Sequence, residues 1–172
     1  MFYDGVRIAS VFDCFPLVWN GGRIVAGYMD MNTAKRLVPQ YLGRFNAMGV
    51  PCRLTFTNPL ITEKELADPV CNTVLDIADN GLNEAIVFSP LLEEHIRKTH
   101  PKMKLTSSTC KQITDITELK AELERDYSLV VLDYNLNNQF DILSTLPHKD
   151  KIELLTNAVC VPNCQRRGEH YR

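Results

Sequence analysis

The last thirteen residues of the sequence, CVPNCQRRGEHYR, concentrate side chains that can bind metals or exchange electrons. Cys160 and Cys164 are separated by three residues, and Pro162 and Asn163 between them favour a turn that brings the two thiols together. This arrangement predicts a metal or redox role for the pair. A thioredoxin-like pair would be spaced C-x2-C, and a C-x3-C-x2-C cluster loop would need a cysteine where the chain has Arg167, so neither motif is present.

Six short apolar segments, rich in β-branched residues, are the strands that must position this chemistry. Several are almost continuously apolar, which is typical of strands covered on both faces of a sheet. They span residues 6–12, 52–56, 84–88, 103–107, 128–132 and 151–155.

Amphipathic stretches between most of these strands predict helices. The expected helices are residues 32–48, a helix from an N-cap at Thr62 through residue 79, a helix from Ser89-Pro90 to about residue 99, a helix capped by Asp115, and a short helix at 140–146. The turn signal Asn20-Gly21-Gly22 predicts a hairpin or excursion over residues 18–29.

This alternation of strands and helices predicts a parallel α/β protein with one domain over residues 1–172. A doubly wound open sheet and a (β/α) barrel are the two candidate layouts. The first strand is followed by Asp13-Cys14-Phe15-Pro16, without a glycine-rich dinucleotide motif or a P-loop. The sequence therefore favours a partial (β/α) TIM-type barrel of about six parallel strands with helices outside, which is either a natural short form or part of a longer protein.

The carboxyl ends of parallel strands meet at one edge of the sheet, and that edge carries the functional residues of such folds. Four of the six cysteines follow predicted strands: Cys14, Cys110, Cys160 and Cys164. Four converging thiolates could hold zinc or a [4Fe-4S] cluster. The alternative is that Cys14 and Cys110 are packed core thiols, as is expected for Cys52 and Cys71.

Other polar side chains at the same edge are candidates for binding and catalysis. Asp13 and Asp133 are candidate general bases, and Asn135 could position a polar ligand, although each also suits a cap or a turn. Arg166 and Arg167 could contact an anionic group. His170 could complete a mixed Cys/His site or lie exposed at the surface.

Composition limits the partners. Hydrophobic residues make up 45% of the chain and charged residues 23%, which is typical of a globular protein. The formal net charge of -2 does not indicate binding to RNA or to an anionic membrane. Without a signal-peptide pattern or an apolar run of transmembrane length, the sequence predicts a cytoplasmic protein whose cysteines are thiols or ligands.

Residues 80–164 resemble the U32 peptidase-like family of TIM-barrel proteins. The resemblance lies in AIVFSP (residues 85–90), KLTSSTC (residues 104–110) and KIELLTNAVCVPNC (residues 151–164). The C-terminal end of the sequence also resembles that of a group of bacterial proteins with the same order of elements. The family members that hydroxylate without oxygen, in ubiquinone biosynthesis and RNA modification, carry a [4Fe-4S] cluster on four cysteines.

The resemblance implies that Cys160 and Cys164 are late cluster ligands and that Cys14 is an early one, whereas Cys110 is a candidate by its strand-end position alone. Three functions follow as hypotheses. The chain is a barrel enzyme with an iron–sulfur or zinc centre acting on a small polar or aromatic substrate, a zinc-knuckle module that docks a protein or RNA, or an α/β domain with incidental cysteines. Two open edges of an incomplete barrel would favour a homodimer or a partner chain.

Overall fold

Six parallel strands in sequence order form the centre of the molecule, as seen in a computed structural model that describes residues 5–21, 27–158 and 160–171. Each strand pairs in parallel with its neighbours along the chain. The strands are β1 (Val11–Asp13), β2 (Cys52–Phe56), β3 (Glu84–Val87), β4 (Lys104–Ser107), β5 (Leu129–Val131) and β6 (Ile152–Glu153). The predicted half-barrel of six parallel strands with helices around it is confirmed.

Helices connect the strands on the outside of the sheet. They are α1 (Met31–Asn46), α2 (Glu63–Leu66), α3 (Pro69–Ala78), α4 (Pro90–Thr99), α5 (Ile116–Glu124) and α6 (Phe140–Ser144). The predicted caps are present, since Thr62 forms a capping box with Glu65, and Ser89 and Asp115 accept hydrogen bonds from the first turns of α4 and α5.

Two predicted elements need correction. The single helix expected from Thr62 through residue 79 is broken into α2 and α3, because the residue before a proline is pushed out of helical conformation. Asp68 instead caps α3, whose first residue is Pro69. The first strand is shorter than expected, because only Val11–Asp13 pairs with β2. The expected hairpin or excursion at 18–29 lies partly outside the described residues.

The sheet curls strongly, and one ion pair measures the curl. Through β5, β4 and β3, Ile152 is in register with Phe56. Glu153 is therefore level with position 57, four residues beyond Arg53, and yet its Oε2 lies 2.7 Å from Nη1 of Arg53. The contact joins β2 and β6, which are four strand steps apart, so the sheet must curl to bring their side chains together.

The two faces of the curled sheet have different chemistry. In β2 the side chains of Leu54 and Phe56 face the helices and belong to the hydrophobic core. Arg53 and Thr55, at the alternate positions, face the inside of the barrel. The main core thus lies between the sheet and its outer helices, and the inner face carries polar side chains among the apolar ones.

Within the described ranges, no helix is both long enough and apolar enough to cross a membrane.

Candidate functional site at the mouth of the half-barrel

A cavity of about 230 Å³ lies inside the curled sheet at the carboxyl ends of the strands. Its apolar walls come from Phe12, Ile86, Val131 and Leu155. Hydroxyl groups are interspersed among them, contributed by Thr55, Thr57, Ser108 and Thr109. An apolar enclosure with a few converging polar groups is the usual form of a small-molecule site, and this edge of the strands is where barrel enzymes place theirs.

A larger surface groove, of about 640 Å³, lies at the opposite end of the strands. It is lined by residues that precede β1, β2 and β3, among them Ile8, Val50 and Leu82. In barrel proteins that end stabilises the fold rather than carrying chemistry. The mouth cavity is therefore the better candidate site.

One wall of the cavity is held by the segment after β1. Trp19 is fully buried, packs edge-on against Phe56 with ring centroids 5.3 Å apart, and donates from Nε1 to the Glu65 carbonyl at 2.7 Å. This anchor places Asn20 and Gly21 at the cavity. Only glycine fits at position 21, because a Cβ there would stand 2.7 Å from the Thr57 carbonyl oxygen.

At the floor of the barrel interior lies Arg53, whose residue is only 5% exposed. Its Nη1 is 2.7 Å from Oε2 of Glu153, but among the described residues neither Nη1 nor Nε has a partner with hydrogen-bond geometry. The buried hydroxyl of Thr106, on the same face of β4 as Ser108, is also without a partner. The side chain of Glu153 itself lines the cavity.

Two of the predicted cysteines also line this cavity. Cys14 is exposed at its rim, where burial of the thiol and the negative charge of Asp13 raise its pKa. Cys110 lies in a short 3-10 turn, with its backbone N–H donating to the Ser108 hydroxyl at 3.1 Å, and burial raises the pKa of its thiol. Both thiols are therefore neutral at physiological pH.

Asp13 is positioned by neighbouring strands and helices. Its carboxylate accepts from the Cys14 backbone N–H at 2.7 Å, and its carbonyl accepts from the Thr55 hydroxyl at 3.1 Å. Burial and a hydrogen bond with Asp13 raise the pKa of Tyr41 to about 12. Asp13 lies between the lining residues Phe12 and Cys14 but is not itself in the cavity lining, and its role as a base stays a prediction.

Asp133 and Arg167 form a buried clamp that fixes the C-terminal segment to the barrel. Nη1 of Arg167 donates to Oδ2 of Asp133, Nε donates to the Tyr171 hydroxyl at 2.6 Å, and Nη2 donates to the carbonyl and hydroxyl of Thr109 at 3.2 and 3.1 Å. The guanidinium also stacks 4.0 Å above the ring of Tyr134. The sequence proposed Arg167 as an anion contact and Asp133 as a base, but the structure pairs the two with each other.

Cys160 and Cys164 lie near each other beside Tyr134. A hydrogen bond from Tyr134 lowers the pKa of the Cys160 thiol, and the neighbouring Cys164 thiol and the positive charge of Arg167 act in the same direction. Burial and the hydrogen bond with Cys160 raise the pKa of Tyr134 to about 12. The turn between the cysteines is closed by a bond from the Cys164 backbone N–H to the Val161 carbonyl at 3.2 Å.

The remaining candidate site residues either contact the C-terminal segment or lie on it. Asn135 accepts from the Asn163 backbone N–H at 3.0 Å, and so it supports the turn between the cysteines. Arg166 is exposed and pairs with Glu169 at 2.9 Å, and His170 is exposed. These contacts show structural uses for Asn135 and Arg166, whereas their roles toward a ligand stay predictions.

The predicted four-cysteine centre does not assemble in this arrangement. Cys14 and Cys110 share the cavity, whereas Cys160 and Cys164 lie beside Tyr134 outside its lining. Across residues 5–21, 27–158 and 160–171, no group of three or more His, Cys, Asp or Glu side chains is placed to hold a metal ion. A metal centre on Cys14, Cys110, Cys160 and Cys164 stays a prediction.

The sequence interpretation missed the interior ion pair and a second buried charge network. The signal for Arg53 and Glu153 was a charged residue in the middle of an otherwise apolar strand, in CRLTF and KIELL. The second network surrounds Tyr127 on the outside of the sheet. In it, Arg125 bonds both oxygens of Glu93 at 2.9 Å and Lys111 bonds Glu122 at 2.5 Å.

Comparison with known proteins supports the fold. Neither a protein-family model nor a curated protein matches the sequence. The structure is similar to that of the U32 peptidase Mk0906, with a TM-score of 0.60 and 14% sequence identity over 88% of this chain. The chain spans about 62% of the length of that protein. At this level of identity the likeness establishes a U32-like barrel fold.

Proposed function

We propose that this chain is a U32-like barrel protein that binds a small molecule with an apolar body in the mouth cavity. The observation that carries the proposal is the cavity itself, which is walled by Phe12, Ile86, Val131 and Leu155 at the carboxyl ends of the strands. Its volume of about 230 Å³ exceeds the roughly 150 Å³ apolar cavity that accommodates benzene and is below the usual size of drug-like sites. The size suits one ring with a small polar group.

A neutral ring compound tests this proposal. We expect benzyl alcohol to raise the melting temperature, because a ligand held at ten times its Kd adds about 1.4 kcal/mol to the free energy of unfolding. Val131→Phe fills the cavity and should abolish the effect. Val161→Phe is the matched control, since Val161 is 72% exposed and lies outside the cavity lining. Equal stabilisation of both variants, or none of the wild type, would refute the proposal.

Whether the chain also carries a metal centre is a separate part of the proposal. Its support is the position of Cys14 and Cys110 at the cavity and of Cys160 and Cys164 on a neighbouring loop. An iron–sulfur cluster on all four would require the two pairs to move together, whereas zinc on the terminal pair would need further ligands. Either centre, if bound, would supply redox or Lewis-acid chemistry beside the cavity.

Metal analysis of anaerobically purified protein tests that part. A brown protein with absorbance near about 400 nm would support the cluster, and a colourless protein with stoichiometric zinc would support the zinc loop. The double variant Cys160→Ser, Cys164→Ser should then lose the metal. Absence of any metal, with an unchanged melting temperature in the double variant, would end both metal hypotheses.

A zinc-knuckle module that docks a protein or RNA through the terminal segment is the second candidate function that we propose. The observation in its favour is the exposed surface of Arg166 and His170 on the terminal segment. RNA or a partner protein would bind there, and a homodimer would form through the open edges at β1 and β6. Light scattering and an RNA-binding assay with Arg166→Ala test these predictions independently of the cavity.

A further inference from the structure

Arg53 is a buried cation with too few partners. A guanidinium carries five N–H donors, and a buried one normally has most of them hydrogen bonded. In the part of the chain that the structure describes, Arg53 makes one ion contact, to Glu153, and neither Nε nor Nη1 has a partner with hydrogen-bond geometry. Arg53 is not part of the cavity lining, so a ligand in the cavity reaches these donors where Glu153, which does line it, moves aside.

The position of Arg53 directs it to the inside of the barrel. It lies two residues before Thr55 on β2 and four before Thr57, which follows the strand, and both threonines line the mouth cavity. Every second residue of a strand faces the same side of the sheet, so Arg53 faces the barrel interior like Thr55. It occupies the layer directly below the cavity. Its contact with Glu153, which lines the cavity itself, joins the two layers.

Glu153 is the less firmly held member of the pair. Its side chain is 29% exposed, against 5% for Arg53, and it lies on the two-residue strand β6 at one edge of the sheet. The Glu153 carboxylate can turn toward solvent and be hydrated there, whereas the guanidinium of Arg53 stays buried and then needs another partner. Glu153 thus serves as a resting counter-ion for the buried guanidinium.

We propose that the cavity takes a small carboxylic acid with an apolar body, and that the ligand's carboxylate replaces Glu153 as the partner of Arg53. This inference rests on the proposed small-molecule function and specifies its substrate class. The ligand's carboxylate takes the place of the Glu153 carboxylate beside Nη1 of Arg53, in a charge-assisted contact of the kind that arginine forms with carboxylates. The buried hydroxyl of Thr106, which has no partner among the described residues, is a further polar group on the same inner face.

The charge balance favours a monoanion. The cavity lining includes Glu153 and contains no lysine or arginine among the described residues, so Arg53 below it is the cation in reach. One guanidinium balances one carboxylate, whereas a phosphate dianion would leave an uncompensated negative charge in an apolar enclosure. The apolar walls of Ile86 and Val131 then contact the body of the ligand.

Benzoate and benzamide form a matched pair of probes, since they share a ring and differ in charge. Titration calorimetry with the wild type should show benzoate binding about 10- to 100-fold more tightly than benzamide, the range expected for a charge-assisted hydrogen bond over a neutral one. Arg53→Met should reduce benzoate affinity to that of benzamide. Glu153→Gln should strengthen benzoate binding, because the internal competitor has been neutralised.

Arg36→Met is the control, since this exposed arginine lies on the outer helix α1 and should leave both affinities unchanged. Circular dichroism establishes that each variant is folded, and Glu153→Gln tests the proposal even if Arg53→Met does not fold. Equal binding of benzoate and benzamide, unaffected by either substitution, would overturn the carboxylate site and leave the proposed small-molecule function standing. Binding of neither probe to the wild type would overturn both proposals.

Discussion

Two buried arginines in this protein differ in how many hydrogen bonds their guanidinium groups make. Arg167 is 3% exposed, and all three of its nitrogens donate hydrogen bonds, to Asp133, Tyr171 and Thr109. Arg53 is 5% exposed, and it has one ion contact with the partly exposed Glu153. Similar burial thus accompanies very different bonding.

This difference in bonding distinguishes Arg167, which stabilises the fold, from Arg53, which we propose binds the carboxylate of a ligand. The Arg167 clamp joins the C-terminal segment to the loops after β4 and β5, and each of its three nitrogens donates at least one hydrogen bond. Arg53 has one ion contact, to Glu153, and its Nε and Nη1 have no partner with hydrogen-bond geometry among the described residues. A buried polar group without partners is costly to the fold, and the carboxylate proposed above would supply the missing partner.

The largest effect should come from the clamp. Arg167→Met leaves Asp133 buried without a counter-charge, and we expect a loss of about 3–5 kcal/mol in the free energy of unfolding. Urea denaturation measures this loss. Arg166→Met is the control at the adjacent exposed position and should change stability by less than about 0.5 kcal/mol. Equal effects of the two substitutions would show that the clamp does not stabilise the fold.

The same substitution at the interior arginine should have a small effect. Arg53→Met removes an incompletely bonded charge from the barrel interior, and water can solvate the partly exposed Glu153 that remains. We expect the free energy of unfolding to stay within about 1 kcal/mol of the wild type. A loss as large as that of Arg167→Met, in the same urea experiment, would contradict the distinction between the two arginines.

The smallest expected effect is on the reactivity of two cysteines, Cys160 in the C-terminal segment and Cys110 at the cavity. The hydrogen bond from Tyr134 lowers the pKa of Cys160, whereas burial raises the pKa of Cys110. Thiolate forms at lower pH when the pKa is lower, so iodoacetamide should label Cys160 at a lower pH than Cys110.

Tyr134→Phe should move the pH midpoint of Cys160 labelling upward and leave that of Cys14 unchanged. Tryptic mass spectrometry over a pH series measures both midpoints. If the Cys160 midpoint is the same in the wild type and the variant, the Tyr134 hydrogen bond does not set its reactivity.

The fold could be predicted because it is encoded locally. The apolar segments, the capping residues Thr62, Ser89 and Asp115, and the absence of a glycine-rich motif after β1 together indicated a partial barrel. The break between α2 and α3 also had a local cause, the proline at position 69. Cys14 and Cys110, which follow β1 and β4, line the cavity, whereas their role as metal ligands stays a prediction.

The partnerships that define the candidate site are not local, and sequence reasoning did not find them. Asp133 pairs with Arg167 across 34 residues, and Arg53 pairs with Glu153 across the barrel. The contact between Arg53 and Glu153 depends on the curl of the whole sheet, which fixes how far each strand is displaced from the next. The pattern of an apolar strand interrupted by one charge was visible, but its partner could not be read from spacing.

The central claim is that a small molecule occupies the mouth cavity, and protection of its cysteines tests this most directly. Cys14 and Cys110 line the cavity, whereas Cys160 lies outside its lining. With saturating benzyl alcohol, we predict slower iodoacetamide labelling of Cys14 and Cys110 and an unchanged rate at Cys160. Unchanged rates at all three cysteines, or equal slowing at all three, would contradict the claim.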